Sequence, residues 1–293
     1  MTASLAAALA FVFYALGYWL YSGYLSRRVF GLREDIATPA HRLNDGVDYV
    51  PTNPWVLFGH HYASIAGLAP MLGPAVAVIW GWLPALIWVV LGALFIGCVH
   101  DFGALVVSLR ARGRSIGMVA EGIMGRRAKT LFHLIIFFLV SLAMGVFVYV
   151  IALLFSPAPT PEDAAVHFPQ AVLPSAGLML VAGVMGFLHY RRGLPWKVLA
   201  PIGFVLTLIV TYIGQMPDVV SFTGLNVHGQ APDVQGWSFI LLGYAFLASV
   251  LPVWSLLQPR DFLNSLLLYL GLFALFGGLF LLNPEFTAPA FRP

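Results

Sequence analysis

Eight apolar runs, each long enough to cross the roughly 30 Å hydrocarbon core of a bilayer, make up most of the chain. They lie near residues 4–25, 60–82, 83–109, 130–155, 174–190, 198–214, 237–257 and 263–282. Lipid offers no water to satisfy backbone N–H and C=O groups, so such runs must be helices, and the predicted fold is an all-α polytopic transmembrane bundle. Composition agrees: 60% of the 293 residues are hydrophobic and 9% are charged, against about a quarter charged in a soluble domain. The net charge of +3 therefore points to orientation in a membrane. A lipid bilayer is the expected partner, and nucleic acid is not.

The cations are distributed unevenly. Fourteen of the fifteen Lys and Arg residues fall in alternate gaps: Arg27, Arg28, Arg33 and Arg42; then Arg110, Arg112, Arg114, Arg126, Arg127 and Lys129; then Arg191, Arg192 and Lys197; then Arg260. Only Arg292 stands apart. The other gaps carry Glu162, Asp163, Asp218, Asp233 and Glu285 and are rich in proline. Positive charge stays on the cytoplasmic side, which predicts a multi-pass protein of the inner (plasma) membrane with its N-terminus outside. The first run is followed, not preceded, by Arg27 and Arg28, the reverse of a secretory signal, and Tyr18, Trp19, Tyr21 and Tyr24 form an aromatic belt at its inner end. Cys98 is the single cysteine, read as a small buried apolar residue, and no intrachain disulfide can form.

Two runs carry helix breakers. The segment FGHHYASIAGLAPMLGP contains Gly67, Pro70, Gly73 and Pro74, and GWSFILLGYAFLASVLPVW contains Gly243, Ala248, Ser249 and Pro252. Proline removes a backbone donor and clashes with the preceding turn. The alternative is a structural kink with glycine faces for close packing; transporters use such breaks to hold solutes and ions near the midplane. The two runs lie five spans apart and opposite in direction, as an inverted five-span repeat requires. The expected organisation is one membrane domain over 1–293: a first span and cytoplasmic loop (1–59), a five-span repeat (60–214) and an incomplete second repeat (237–293). Three further spans would complete it, so the chain reads as an N-terminal fragment, with a second chain as one possible source of the rest.

Few residues offer chemistry. Asp101, about two turns from the inner end of its run, is costly in a membrane and hence a candidate for cation coupling, and His100 adjoins it. The alternative is a carboxylate that hydrogen-bonds a nearby backbone break. His60 and His61 stand at the inner mouth of the first broken run, where imidazole titrates near neutral pH, but consecutive helical residues point apart and cannot chelate one metal. Asp45 and Asp48 suit turns; His133 and His189 lie at span ends; His41, His167 and His228 lie in loops. Metalloprotease, serine-hydrolase, phosphate-loop and paired-cysteine motifs are absent from the sequence, so no cofactor or metal and no enzyme activity is expected.

NDGVDYVPTN, VLFGHHYASIAGLAPMLGP, VHDF, RGRSIG and LPVWSLLQPRDFLNS, in that order, resemble the carbon starvation protein A family from about residue 40 to the end. The resemblance implies a bacterial inner-membrane transporter of the amino acid–polyamine–organocation type, taking up peptides or pyruvate, with proton symport in the pyruvate members. Family members are much longer than this chain. The family pattern often has AGAGP where this chain has Ala66, Gly67, Leu68, Ala69 and Pro70.

The expectation is a secondary active transporter for small organic nutrients, peptides or pyruvate-like carboxylates, in the carbon starvation response. Ala66, Gly67, Leu68, Ala69, Pro70, Tyr244, Ala248, Ser249 and Pro252 would bind the solute. His60, His61, His100 and Asp101 would couple a proton or sodium ion. A membrane-embedded metal-dependent enzyme using His60, His61, His100 and Asp101, or a non-transporting subunit of a membrane assembly, remains the alternative.

Overall fold

A computed structural model describes residues 2–33, 35–216, 219 and 232–292; Asp218 and His228 lie outside the described residues. The chain is all-α, as expected, and falls into two compact units, Met1–Pro51 with Ala66–Ile136 and Gly271–Pro293, and Thr52–Ile65 with Phe137–Leu270.

In the first unit, α1 (Ala3–Leu16) continues through wider π-helical turns at Gly17–Ser22 and Leu25–Val29. A short α2 (Pro39–Arg42) follows, then α4 (Leu68–Ala77), the other half of a broken pair whose first half, α3 (Pro54–Ile65), belongs to the second unit. Next come α5 (Trp82–Ile87), a π-helical stretch over Trp88–Gly97, and α6 (Cys98–Arg110), which together form one membrane-length rod. Close approach of α1 to this rod depends on Gly17, where a Cβ would run into the Leu94 side chain. Tyr14 donates its hydroxyl to the Val89 carbonyl at 2.9 Å, supplying a partner where π-helical geometry rearranges the backbone ladder. Gly81, between α4 and α5, has φ +105, and a Cβ there would lie 2.5 Å from the Ala290 carbonyl oxygen, so no other residue fits. Around it the chain's last residues are pinned: Leu83 N–H donates to Ala290 O at 3.1 Å, Arg292 N–H to Trp80 O at 2.9 Å, and Phe286 stacks on Trp82 at 4.3 Å.

A helix not foreseen in the 110–129 gap, α7 (Ile116–Met124), precedes α8 (Arg126–Phe155). Gly125 (φ +87) turns the chain between them, and Lys129 reaches back across the corner to Glu121 at 2.8 Å. Lys129 holds the Glu121 carboxyl below its ordinary range.

The second unit contains α3, most of α8, α9 (Val172–Arg192), α10 (Trp196–Gly214), α11 (Val234–Val250) and the first half of α12 (Leu257–Leu282). Its core is Val56 from α3, Leu178, Ala182 and Met185 from α9, Trp196 and Leu199 from α10, and Phe262 and Leu263 from α12. The hydrophobic effect adds little between helices already in lipid, so close packing through small residues must hold them. Three glycines show it. A Cβ on Gly59 would lie 2.6 Å from Ser265 Oγ; one on Gly186 would strike the Ser255 carbonyl; one on Gly203 would strike the Met185 sulfur.

Six described helical segments are long and apolar enough to cross a membrane: Ala3–Val29, Trp82–Arg110, Arg126–Phe155, Glu162–Arg192, Trp196–Gly214 and Leu257–Leu282. At most 22% of the most apolar window of any of them is buried within the chain, so the remaining apolar surface suits lipid or further protein.

Two expected spans take another form. The run at 60–82 starts earlier, at Pro54, and is split at Ala66 and Gly67 into α3 and α4. Pro70 falls in the first turn of α4, where a missing N–H costs nothing, and Gly73 and Pro74 lie inside the helix. The interruption is therefore at Ala66 and Gly67, not at all four positions expected. The run at 237–257 is the 17-residue α11, continuous through Gly243, Ala248 and Ser249. It stops at Leu251 (ψ 145), which the following Pro252 forces into the extended region. The last span begins at Leu257 instead of 263, because Pro259 is tolerated in a first helical turn, and Arg260 thereby moves from a loop into the helix. Cys98 is exposed, not buried.

Candidate functional site

The second unit holds an ionic cluster on the first two turns of α12. Asp261, with a side chain only 12% exposed, accepts two bonds on one oxygen, from Arg260 Nε at 3.0 Å and Nη2 at 2.8 Å. Its other oxygen, Oδ2, lies 3.0 Å from Nδ1 of His60 on α3. Arg260 donates through Nη1 to the Tyr244 hydroxyl on α11 at 2.8 Å. One turn back, Gln258 accepts from the Tyr190 hydroxyl of α9 at 2.9 Å. Three helices, α3, α11 and α12, thus meet at one charged pair, with α9 tied to α12 one turn away, inside a helix otherwise apolar enough to span a bilayer. Such residues are rare in membrane segments and mark solute or ion pathways.

The sequence explains the placement. Gly59 lets α3 close on Ser265 and Phe262, and the next residue, His60, then meets Asp261 one turn earlier on α12. The Pro252 break ends α11 and the turns at 253–256 return the chain, so Tyr244 and Arg260, sixteen positions apart, come into contact. The contact of His60 Nδ1 with Asp261 Oδ2 carries a chemical requirement. An imidazole lone pair facing a carboxylate would repel it, so a proton must lie on one of the two atoms. The ring nitrogen is buried and makes no hydrogen bond, so the contact with Asp261 is an ion pair only when the imidazole is protonated.

Of the expected coupling residues, His60 enters this cluster, while His61 turns outward and is exposed, as consecutive helical residues must. His100 and Asp101 lie in the first unit, 3.1 Å apart, with side chains 79% and 50% exposed. The Asp101 side chain meets its neighbour His100 and no backbone break among the described bonds. Ala66, Gly67 and Pro70 border the helix break of the first unit, Leu68 and Ala69 being the first residues of α4. In the second unit Tyr244 joins the cluster, Ala248 is buried, and Ser249 is exposed and donates to the Phe246 carbonyl. Pro252 sits in the α11–α12 link. Asp45 forms a turn, accepting from the N–H groups of Val47, Asp48 and Tyr49 at 2.8–2.9 Å. Those bonds, Tyr49's first, hold its carboxyl below the usual range. Among the described residues no three His, Cys, Asp or Glu side chains are placed to share a metal ion.

Reading the residues in sequence did not single out Asp261 or Tyr190, and assigned Arg260 to a loop. The usable signal was Pro259 followed directly by Arg-Asp and then an apolar i, i+4 pattern through Phe262, Leu263, Leu266 and Leu267, which marks a helix starting before the charges.

Membrane-length apolar helices, a backbone broken at Gly67 and at Pro252, and a buried ion cluster define a polytopic α-helical membrane protein. The chain belongs to the family described as carbon starvation protein CstA, which matches residues 2–292. Among its relatives, a peptide transporter CstA of Bacillus subtilis is 35% identical over 94% of this chain and 44% of its own length. A peptide transporter CstA of Campylobacter jejuni is 36% identical over 87% of this chain and 34% of its own length. A pyruvate/proton symporter BtsT of Escherichia coli is 35% identical over 94% of this chain and 37% of its own length. The chain thus spans less than half the length of the curated relatives it matches. No solved structure matches it.

Proposed function

We propose that this chain serves secondary active transport of small organic nutrients that carry a carboxylate, such as peptides or pyruvate-like acids. Uptake is driven by a cation, a proton or sodium ion, across the inner membrane, with the N-terminus outside. The observation that carries this reading is the Arg260–Asp261–His60 cluster, a charged site with partial exposure (26% for Arg260 and His60) on an apolar, membrane-length helix. A carboxylate is the group that a peptide and pyruvate share, and the relatives named for those solutes support it. Guanidinium is the side chain best suited to bind it. Within the same unit, backbone opened at Leu251 and Pro252 supplies further polar contacts of the kind transporters use, and the break at Ala66 and Gly67 gives the first unit an opening of the same kind.

The test is uptake of labelled pyruvate and of a dipeptide into vesicles carrying the protein, under inward proton and sodium gradients. Gradient-driven accumulation of one of the two is expected, falling at least about tenfold, the weight of one lost charge-assisted contact, in Arg260→Gln. Accumulation that is indifferent to Arg260 would remove the reading, as would no uptake or exchange of either solute when the chain is expressed together with a segment that supplies the three further spans.

A further inference from the structure

The cluster on α12 has two features that a mere ion pair lacks: an unused guanidinium edge and a third titratable group. We infer that Arg260, Asp261 and His60 form a proton-gated carboxylate site, in which a proton on His60 releases Arg260 from its internal partner to bind the solute's carboxylate. This inference rests on the transport reading above and adds the coupling ion and the order of events.

The donors can be counted. A guanidinium has five N–H groups. Arg260 uses Nε and one N–H of Nη2 on Asp261, and one N–H of Nη1 on Tyr244. One N–H on each terminal nitrogen is left among the described bonds, and a carboxylate is an acceptor for such charged donors. The Arg260 side chain is 26% exposed, so the residue is not sealed off from a solute.

Charge supplies the gate. With His60 neutral, Arg260 and Asp261 cancel, and an anionic solute gains little from approaching. One added proton makes the imidazole a cation 3.0 Å from Asp261 Oδ2. Asp261 is then shared between two cations, its hold on Arg260 weakens, and the cluster carries one net positive charge. A monocarboxylate restores neutrality. Proton and carboxylate cross together and leave together, so each cycle moves no net charge for a monoanion: the proton is taken up by the imidazole on one side and lost from it on the other, and no bond other than N–H forms or breaks. Among the described contacts, the further side chain bonded to the pair is Tyr244 from α11, with Gln258 and its partner Tyr190 one turn away and Ser265 one turn further along α12. None of these is a carboxylate, an imidazole or an amine, so the switch falls to His60. His61, its neighbour, is exposed and points elsewhere.

The experiment has two independent readouts on the full chain in lipid nanodiscs or vesicles. First, pyruvate binding is measured between pH 5.5 and 8. Acid should tighten binding at least about tenfold, the weight of one ionic contact, and His60→Gln, which keeps a polar side chain of similar reach, should flatten the pH profile. In vesicles His60→Gln should lose accumulation driven by a proton gradient and also slow pyruvate counterflow, because a neutral side chain leaves Asp261 holding Arg260. If His60→Gln still accumulates while Asp101→Asn does not, coupling belongs to the His100–Asp101 pair and the inference is overturned. Second, the ring-nitrogen signals of His60, labelled with ¹⁵N, are followed by NMR with no solute present. Its protonation midpoint should move down in Asp261→Asn and stay near the original in Asp261→Glu, which retains the acid if the amide variant folds poorly. An imidazole that does not titrate between pH 5 and 8, or titrates identically in all three proteins, overturns the gate whatever is transported. If instead His60 titrates as expected but no carboxylate binds, the transport reading has failed and the proton site stands.

Discussion

Asp261 is the residue whose meaning depends most on its surroundings. In the sequence it follows Pro and Arg at what reads as a loop end, and the local pattern says only that a helix starts before it, not that its charge is buried. Its burial comes from His60, two hundred positions away, and from a helix that begins before Pro259 instead of after it. His60 was legible as a candidate because an imidazole at the mouth of a broken apolar run is unusual; its partner was not, since no period or spacing encodes a contact between helices. Asp45 is the opposite case. The NDG sequence announces a turn by local chemistry alone, and Asp45 accepts three backbone N–H groups there. Because these bonds lower its pKa in the folded chain, their contribution is fully present above the ordinary carboxylate value of about 4. It is lost as pH falls through the lower folded value. Asp45→Asn should therefore loosen residues 44–49 at neutral pH, seen as faster proteolytic cleavage there, while once the pH lies below the lowered folded value the variant and the parent should be cut at similar rates.

At the scale of elements, helix interruptions were readable where a breaker acts on its own neighbours, and misplaced where tolerance depends on position in the helix. Pro252 ends α11 by constraining Leu251, a purely local effect. Pro70 and Pro74 were expected to interrupt as well, yet the first lies within an opening turn and the second is carried inside α4; which turn a proline occupies is decided by where the helix starts, and that start follows Gly67. The join between α3 and α12 was not legible at all, because it rests on the absence of a side chain at Gly59. A methyl group there would sit 2.6 Å from Ser265 Oγ and 3.0 Å from Phe262 Cδ2, and overpacking of this kind costs about 1–3 kcal/mol. Gly59→Ala should lower the midpoint of thermal unfolding in detergent and push His60 away from Asp261. Pairing it with Ser265→Ala, which removes the nearest obstructing atom, should recover part of the loss. Equal stability of Gly59→Ala and the parent would show that α3 and α12 are not held at this contact.

For the whole molecule, the firmest inference from sequence was the alternation of charge, and the helices allow a direct test of it. α8 runs from Arg126 to Phe155 and α9 from Val172 to Arg192, each long enough to cross. Six cations lie from Arg110, at the end of α6, through the gap to Lys129 in the first turn of α8; the link between α8 and α9 carries Glu162 and Asp163, and the end of α9 carries Arg191 and Arg192. If cations mark the cytoplasmic side, three consecutive connections must lie inside, outside and inside. Cys98 is the only cysteine and is exposed, so the test begins from Cys98→Ala. Arg114→Cys suits the first gap better than Arg112→Cys, because Arg112 has φ +63 and its carbonyl accepts from Tyr49; Arg114, Glu162 and Arg192 are all exposed. With a membrane-impermeant maleimide, Arg114→Cys and Arg192→Cys should react only when the reagent reaches the cytoplasmic face, and Glu162→Cys only from outside in intact cells. Moving a cation should not change the pattern at one site alone, since α8 and α9 link all three positions through two crossings. Labelling of Glu162→Cys from the cytoplasmic face would mean that α8 does not cross as a single span, and the orientation of every later helix, α12 and its ion cluster included, would have to be reversed.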